Sequence, residues 1–293
     1  MPDLLPQELR ILVAVADSGG FSAAAAALGL TQSAVSHSVR GSETKVGAVL
    51  FERGRAGATP TPAGERAVAL ARRILRMYEV LGAEVRSAGR GAGRGVVEGV
   101  LRIAAFRSAA LHLLPPALER LTARHPGIRP EVRVVREIGA GTAGEVAAGR
   151  ADLGIATLGG SQDVPPGLLT GVLTQEAYRL VHPAGHPDPK GLPLMDWDEN
   201  CGSYTRSWWR AQDWIPRATV KAEDDAMVLT MVGRGLGMAI MPELSLSEAT
   251  EAVDITDLGP SGPVRQVGYV TTAESASTLA VRALIRELRS EKG

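Results

Sequence analysis

Residues 21 to 64, FSAAAAALGLTQSAVSHSVRGSETKVGAVLFERGRAGATPTPAG, constrain the fold more than any other stretch of the chain. A run of small residues, a glycine, and an amphipathic run with polar side chains crowded into its first turn describe two short helices joined by a tight turn. Ala23 to Ala27 have little side-chain volume, so another helix can approach closely. Ser22 is the expected cap of the first helix, and Gly29 permits the left-handed turn that ends it. Thr31 is the expected cap of the second, with Leu30 and Val35 as a hydrophobic staple and Ala34, Val35, Val39 and Val46 as the inward face. Thr31, Gln32, Ser33, Ser36, His37 and Arg40 are then the polar groups available at the start and along the outer side of this helix.

Such a face suits the major groove of double-stranded DNA, because Gln pairs bidentately with adenine and Ser donates to or accepts from several bases. An ordinary solvated face is the alternative for a short polar helix taken alone, and the residues that follow weigh against it. Gly47 ends the helix, Leu50 to Arg53 reads as a strand, GRAGAT as a turn, and Thr59 to Thr61 as a returning strand. A hairpin there is a wing, and it brings Arg53 and Arg55 within reach of a sugar-phosphate backbone. These motifs, in this order and spacing, closely resemble the winged helix-turn-helix of the LysR-type transcriptional regulators. Two positions depart from the family pattern. Ser42 replaces an apolar Leu and is expected to bond back to a carbonyl one turn earlier; His37 replaces Arg and would make a DNA contact sensitive to pH.

Thr61 and Pro62 form a cap and first-turn pair for a long helix running to about residue 88. Ala67, Ala71, Ile74, Tyr78, Leu81, Val85 and Ala88 alternate by four and three, the spacing of a coiled-coil seam. Packing on its own domain is the other reading. The resemblance makes this the linker helix of a dimer, with Ala71, Ile74, Tyr78, Leu81 and Val85 at the contact. A dimer, or a tetramer built from two, would hold two recognition helices at the spacing of a near-palindromic operator. Residues 86 to 99 are rich in Gly and Arg without periodicity, which reads as a hinge.

From residue 100 strands and helices alternate: strands at 100–105, 131–138 and 151–157 with helices at 111–127 and 142–150 make a βαβαβ unit. Further strands are expected at 168–173, 178–182, 218–220, 237–241 and 264–271, with helices at 224–233 and 277–291. Two α/β lobes joined by two crossovers form a clamp. GRADLGIA (149–156) and VGRGLGMAIMP (232–242) resemble the effector-binding domain of the same family, whose fold is that of periplasmic solute-binding proteins. The expected organisation is therefore α/β with an N-terminal winged helix-turn-helix over 1–61, a linker helix over 62–88, a hinge over 89–99 and a two-lobed effector-binding domain over 100–293. Lobe I takes about 100–173 and 264–293, and lobe II about 174–263.

Clefts of this kind bind ligands at strand C-termini and helix N-termini. Arg107 and Ser108 follow the first strand and Thr157 the third, with Tyr204, Thr205 and Arg206 expected to face them from lobe II. Together they would take a small-molecule effector. GAGTAG (139–144) satisfies G-x-G-x-x-G, so a dinucleotide-dependent enzyme is a competing class; the loop is in the second βα turn rather than the first, and Asp163, the candidate ribose partner, is expected in a loop. No catalytic constellation, metal-ligand spacing or cofactor site is otherwise apparent. A solute-binding module without a DNA role is a second competitor.

Net charge is zero, hydrophobic residues are 45% and charged ones 22% of the 293 residues, so DNA affinity must come from local placement rather than bulk basicity. Cys201 is the only cysteine, which excludes an intrachain disulfide. A redox trigger at Cys201 would make a variant of the regulator, although Asp196, Asp198 and Glu199 nearby disfavour its thiolate. With no signal-like start and no bilayer-length apolar run, the expected location is the cytoplasm, with no membrane partner.

Overall fold

The computed structural model of the chain describes residues 4–54, 57–89, 97–159, 164–200, 203–247 and 249–290. They form two compact units, one of Met1–Gly99 with Ala147–Ala151, the other of Val100–Val146 with Asp152–Gly293.

The first unit opens with α1 (Pro6–Ser18), α2 (Phe21–Leu28) and α3 (Gln32–Val46), then the hairpin β1 (Phe51–Gly54) and β2 (Gly57–Pro60), then α4 (Pro62–Gly89). Leu12 and Val15 of α1, Ala24 and Ala25 of α2, Val35 and Val39 of α3, and Leu50, Phe51 and Ala58 of the wing share one core, which Val68 of α4 joins. The α2 helix starts earlier than expected: Gly20, in extended backbone, is the N-cap, so Ser22 lies inside the first turn and caps nothing. Gly29 closes α2 with φ 64°, as a turn between helices this close requires. On α3 the Thr31 hydroxyl accepts from the Ala34 N–H at 3.2 Å. Leu30 stays exposed and stands outside the core to which Val35 belongs, so the expected staple is not seen.

The buried stripe of α3 runs through Val35, Val39 and Ser42, and Val46 packs against the same core. Ser42 is fully buried and donates to the Ser38 carbonyl at 3.0 Å, the back-bond its position demands. Positions 34 and 36 flank the stripe on opposite sides. Arg53 roofs the Ser36 flank, whereas Ala34 is exposed, against the expectation that it packs inward. Gly64, in the first turn of α4, lies so close to β1 that a Cβ there would sit 1.9 Å from the Leu50 carbonyl oxygen.

The second unit contains β3 (Glu98–Ala105), α5 (Arg107–His112), α6 (Leu114–Arg124), β4 (Gly127–Val134), α7 (Gly141–Ala147) and β5 (Leu153–Leu158). There follow β6 (Leu168–Pro183), β7 (Leu194–Trp197), α8 (Ser203–Arg210), β8 (Ala218–Ala222), α9 (Asp225–Gly233), β9 (Ala239–Pro242) and β10 (Val253–Asp257). The chain closes with β11 (Val264–Thr272), α10 (Ala273–Ser277) and α11 (Leu279–Arg289). Strands β3 and β5 are parallel, β4 lies outside β3, and β11 is antiparallel to both β5 and β6. The strand expected at 131–138 runs instead from 127 to 134; residues 135 to 138 leave the sheet and carry Glu137 to the start of α7.

The strands expected at 168–173 and 178–182 are one strand of 16 residues, β6. Its first half pairs with β11 in lobe I, and its second half lies between β9 and β10 in lobe II. Leu173 is bulged out of the ladder opposite Val267 and Gly268. One face of the lobe II sheet packs Val228 and Val232 of α9 against Val181, Ala239 and Met241. The other face gathers Tyr178, Leu180, Leu194, Met238 and Ile240, against which Trp208 and Trp209 of α8 pack. Among the described residues no helix is long and apolar enough to cross a membrane.

Candidate nucleic-acid interface and interlobe cleft

On α3 the side chains of Gln32, Ser33, His37 and Arg40 are exposed, and so is Thr31 at the cap. The Thr31 hydroxyl is occupied by the Ala34 N–H and by a 3.0 Å bond with the Ser33 hydroxyl, so its first role is to hold the end of α3. Ser36 departs from the expected outward set. It is 8% exposed, and its hydroxyl accepts from Arg53 Nη2 at 3.0 Å. Arg53 also stacks over the Phe21 ring, 4.4 Å from its centroid, and Phe21 meets Phe51 edge-on. One guanidinium therefore ties α2, α3 and the wing together while its own residue remains exposed. Glu43 fixes the other end of the wing by accepting from the N–H groups of Leu50 and Phe51. Lys45 holds Glu8 of α1 at 2.7 Å, which keeps that carboxyl below the usual carboxylate range through the Lys45 hydrogen bond and the Leu5 N–H. Arg55 lies outside the described residues.

Along α4, Ile74, Tyr78, Leu81 and Val85 are between 46% and 61% exposed, an apolar row without cover in the single chain. Ala71 is not part of it. At 1% exposed it is buried within its own unit, so it is unavailable to a second chain. The side chain of Ala88 and residues 90 to 96 of the expected hinge lie outside the described residues.

In the second unit, Arg107 opens α5 at the end of β3 and reaches lobe II, where it pairs with Asp224 at 3.2 Å and Asp225 at 3.4 Å, at the start of α9. Asp224 also caps α9 through the Met227 N–H. A second bridge between the lobes joins Arg136 to Glu199 at 2.8 Å; that carboxylate hydrogen bond, followed by the charges of Glu199, Asp198 and Glu223, raises the Arg136 pKa. Ser108 is buried beside Arg107, and Thr157 is half-buried at the end of β5. Thr205 departs from the expected cleft-facing set: it is fully buried, and its hydroxyl donates to the Asn200 carbonyl. The side chains of Tyr204 and Arg206, and all of Cys201 and Asp163, lie outside the described residues.

Glu137 and Arg265 were not anticipated. The Glu137 carboxylate accepts from the N–H groups of Thr142 and Thr157 and from the Thr142 hydroxyl. Burial raises its pKa, and those two N–H groups, the hydroxyl and the Arg265 charge oppose the rise. A Cβ at Gly141 would lie 2.7 Å from Glu137 Oε2, so the glycine loop at 139–144 wraps an internal carboxylate where a dinucleotide would put its pyrophosphate. Arg265 pairs with Glu176 at 2.6 Å, and Glu176 also accepts from the Leu244 N–H of lobe II. Its guanidinium stacks on Phe106, 4.9 Å from the ring centroid. No local motif marks these residues; β11 has to return beside β6 before they meet. A separate concavity of about 610 Å³ beside the crossover is lined by Tyr178, Arg179, Asp257 and Pro260 among others. Among its described lining residues the only cation, Arg179, holds Glu243 and Asp257.

A helix-turn-helix with an exposed polar face and a braced wing, carried on one chain with a two-lobed binding fold, defines the class of ligand-responsive transcriptional regulators. The chain belongs to the LysR family: residues 6–65 match the model of the bacterial regulatory helix-turn-helix protein, lysR family, and residues 94–293 that of the LysR substrate binding domain. It is 33% identical over 294 residues to the probable HTH-type transcriptional regulator LrrA of Synechococcus elongatus, covering 96% of this chain and 95% of the relative. Among solved structures, a full-length variant of OxyR from Pseudomonas aeruginosa aligns with TM-score 0.71 and 22% identity over 98% of this chain and 95% of that one. Full-length CbnR in complex with its target DNA aligns with TM-score 0.64 and 20% identity over 98% and 99%. These structures share the fold, and the family is that of transcriptional regulators rather than enzymes.

Proposed function

We propose that this regulator reads double-stranded DNA through Gln32, Ser33 and His37 of α3, with Arg40 of the same helix and Arg53 and Arg55 of the wing on the backbone, and that it works in the cytoplasm as a dimer or tetramer. The observation carrying this reading is the division of α3 into a buried stripe through Val35 and Val39 and an exposed edge bearing Gln32, His37 and Arg40. The exposed row on α4 supplies the contact between copies, which sets two α3 helices on the half-sites of a near-palindromic operator. A small-molecule effector binds between the lobes near Arg107, Ser108 and Thr157, and it acts by changing lobe closure and the pairing of dimers rather than base contacts.

The test is a gel shift on DNA upstream of the protein's own gene, with random DNA as competitor. Gln32→Ala is expected to cost about 1–3 kcal/mol of discrimination and to relax base preference at one position. Arg40→Ala weakens specific and random DNA alike and flattens the log-log salt slope by roughly one. Equal losses on both DNAs for the two variants would overturn the assignment of α3 as the reading element.

A further inference from the structure

Among the buried polar atoms of the second unit that lack a hydrogen-bond partner among the described residues are Asn200 Oδ1, Trp208 Nε1 and Arg265 Nη2. These three share a neighbourhood. The Arg265 guanidinium lies over Tyr178, 5.9 Å from its ring centroid, and Trp208 packs against the cluster that contains Tyr178 and Ile240. Asn200 Nδ2 donates to the Ile240 carbonyl at 2.9 Å, and α8, which carries Trp208, packs on β11, which carries Arg265. Phe106, the last residue before Arg107, stacks on the same guanidinium, so the group lies next to the Arg107 bridge between the lobes. Polar atoms left unmet in such a place are costly, and a ligand that met all three would remove that cost.

The chemistry of that occupant follows from the three atoms. Arg265 Nη2 and Trp208 Nε1 only donate, while Asn200 Oδ1 only accepts, so the ligand presents acceptor oxygens on one side and a donor on the other. Charge narrows the choice. Arg265 is already neutralised by Glu176, which leaves room for one carboxylate only if the same molecule carries a cation. That cation has a place beside Asn200, whose Nδ2 donates to the buried Asp196 carboxylate at 3.0 Å. The groups at the bridges between the lobes include more carboxylates than cations, Asp198, Glu199, Asp224 and Asp225 against Arg107, Arg136 and Lys221, which opposes a ligand of net negative charge.

We propose that the effector is a free 2-amino carboxylic acid bound as a zwitterion, its carboxylate meeting Arg265 Nη2 and Trp208 Nε1 and its ammonium meeting Asn200 Oδ1. The assignment rests on reading the second unit as the effector sensor.

The experiment uses the full-length chain and measures the melting temperature with each of the common L-amino acids at millimolar concentration. Every compound that binds is then compared with its carboxamide and its N-acetyl derivative. At least one free amino acid is expected to raise the melting temperature, and both derivatives are expected to lose the effect. Trp208→Phe keeps the apolar ring and loses the N–H, and it weakens the responding amino acid roughly ten-fold, the factor expected for one lost buried hydrogen bond. The proposal is overturned if no free amino acid shifts the melting temperature, if a derivative binds as well as its parent, or if Trp208→Phe binds with unchanged affinity. Gel shifts on the same preparations separate the two readings. Intact DNA binding without an amino-acid response sinks only the ligand assignment, while failure to bind DNA counts against the regulator reading itself.

Discussion

Ser36 and Ser42 both turn inward on α3, and each meets the cost of a buried hydroxyl in its own way. Ser42 bonds to a carbonyl of its own helix, whereas Ser36 is satisfied by Arg53 from the wing. Glu137 is the costlier buried group. Its folded-state pKa stands above the ordinary value of 4.5 because burial disfavours the carboxylate. Its contribution to stability is therefore complete below that ordinary value and fades as pH climbs through the raised one. The urea midpoint of the wild type relative to Glu137→Gln, which does not titrate, is expected to fall as pH rises from below 4.5 toward neutrality. A difference independent of pH would show that the group titrates normally. The contrast between the serines also shows what was legible: back-bonding of Ser42 is local and could be read from its position, but burial of Ser36 depends on a residue seventeen positions away in another element.

Periodicity gave the long helix α4 and most of its uncovered row, and it erred where the neighbours are not sequential. Ala71 fits the four-three spacing as well as Ile74 does, yet it is buried in its own unit. Leu81→Glu places a charge in the middle of the exposed row without touching that core. Sedimentation is expected to show dissociation, since each copy loses about 2 kcal/mol of apolar burial and gains a charge to desolvate. A dimer surviving at micromolar concentration would put the contact elsewhere. In β6 the error was of the opposite kind. Residues 174 to 177, TQEA, fell between the two expected strands, but Glu176 is buried as the partner of Arg265, so a charged residue occupies an interior strand position. In the sequence each half of this buried pair looks like a solvated charge, and the two meet only when the strands come together.

Across the second unit, the order of strands and helices announced two lobes, while the atoms joining them emerged only from the assembled sheet. Arg107, expected to hold a ligand directly, spends its charge on Asp224 and Asp225 of the opposite lobe. Because the pair is substantially open to solvent, each contact is worth less than about 1 kcal/mol, and its importance lies in biasing closure rather than in global stability. Arg107→Gln is accordingly expected to move the thermal midpoint by no more than about 3 °C. In the same variant, paired spin labels, one on each lobe, should record a broader distance distribution. An unchanged distribution would mean that the bridge does not restrain the lobes. Any relative movement of the lobes must also pass through β6, which runs unbroken from one into the other and carries its irregularity at Leu173. A continuous ribbon cannot swing like a door on a pin; it twists, storing elastic energy along its length and returning it. The resting angle between the lobes thus depends on the torsional stiffness of that strand, acting beside the return crossover between β10 and β11 and the Arg107 and Arg136 bridges.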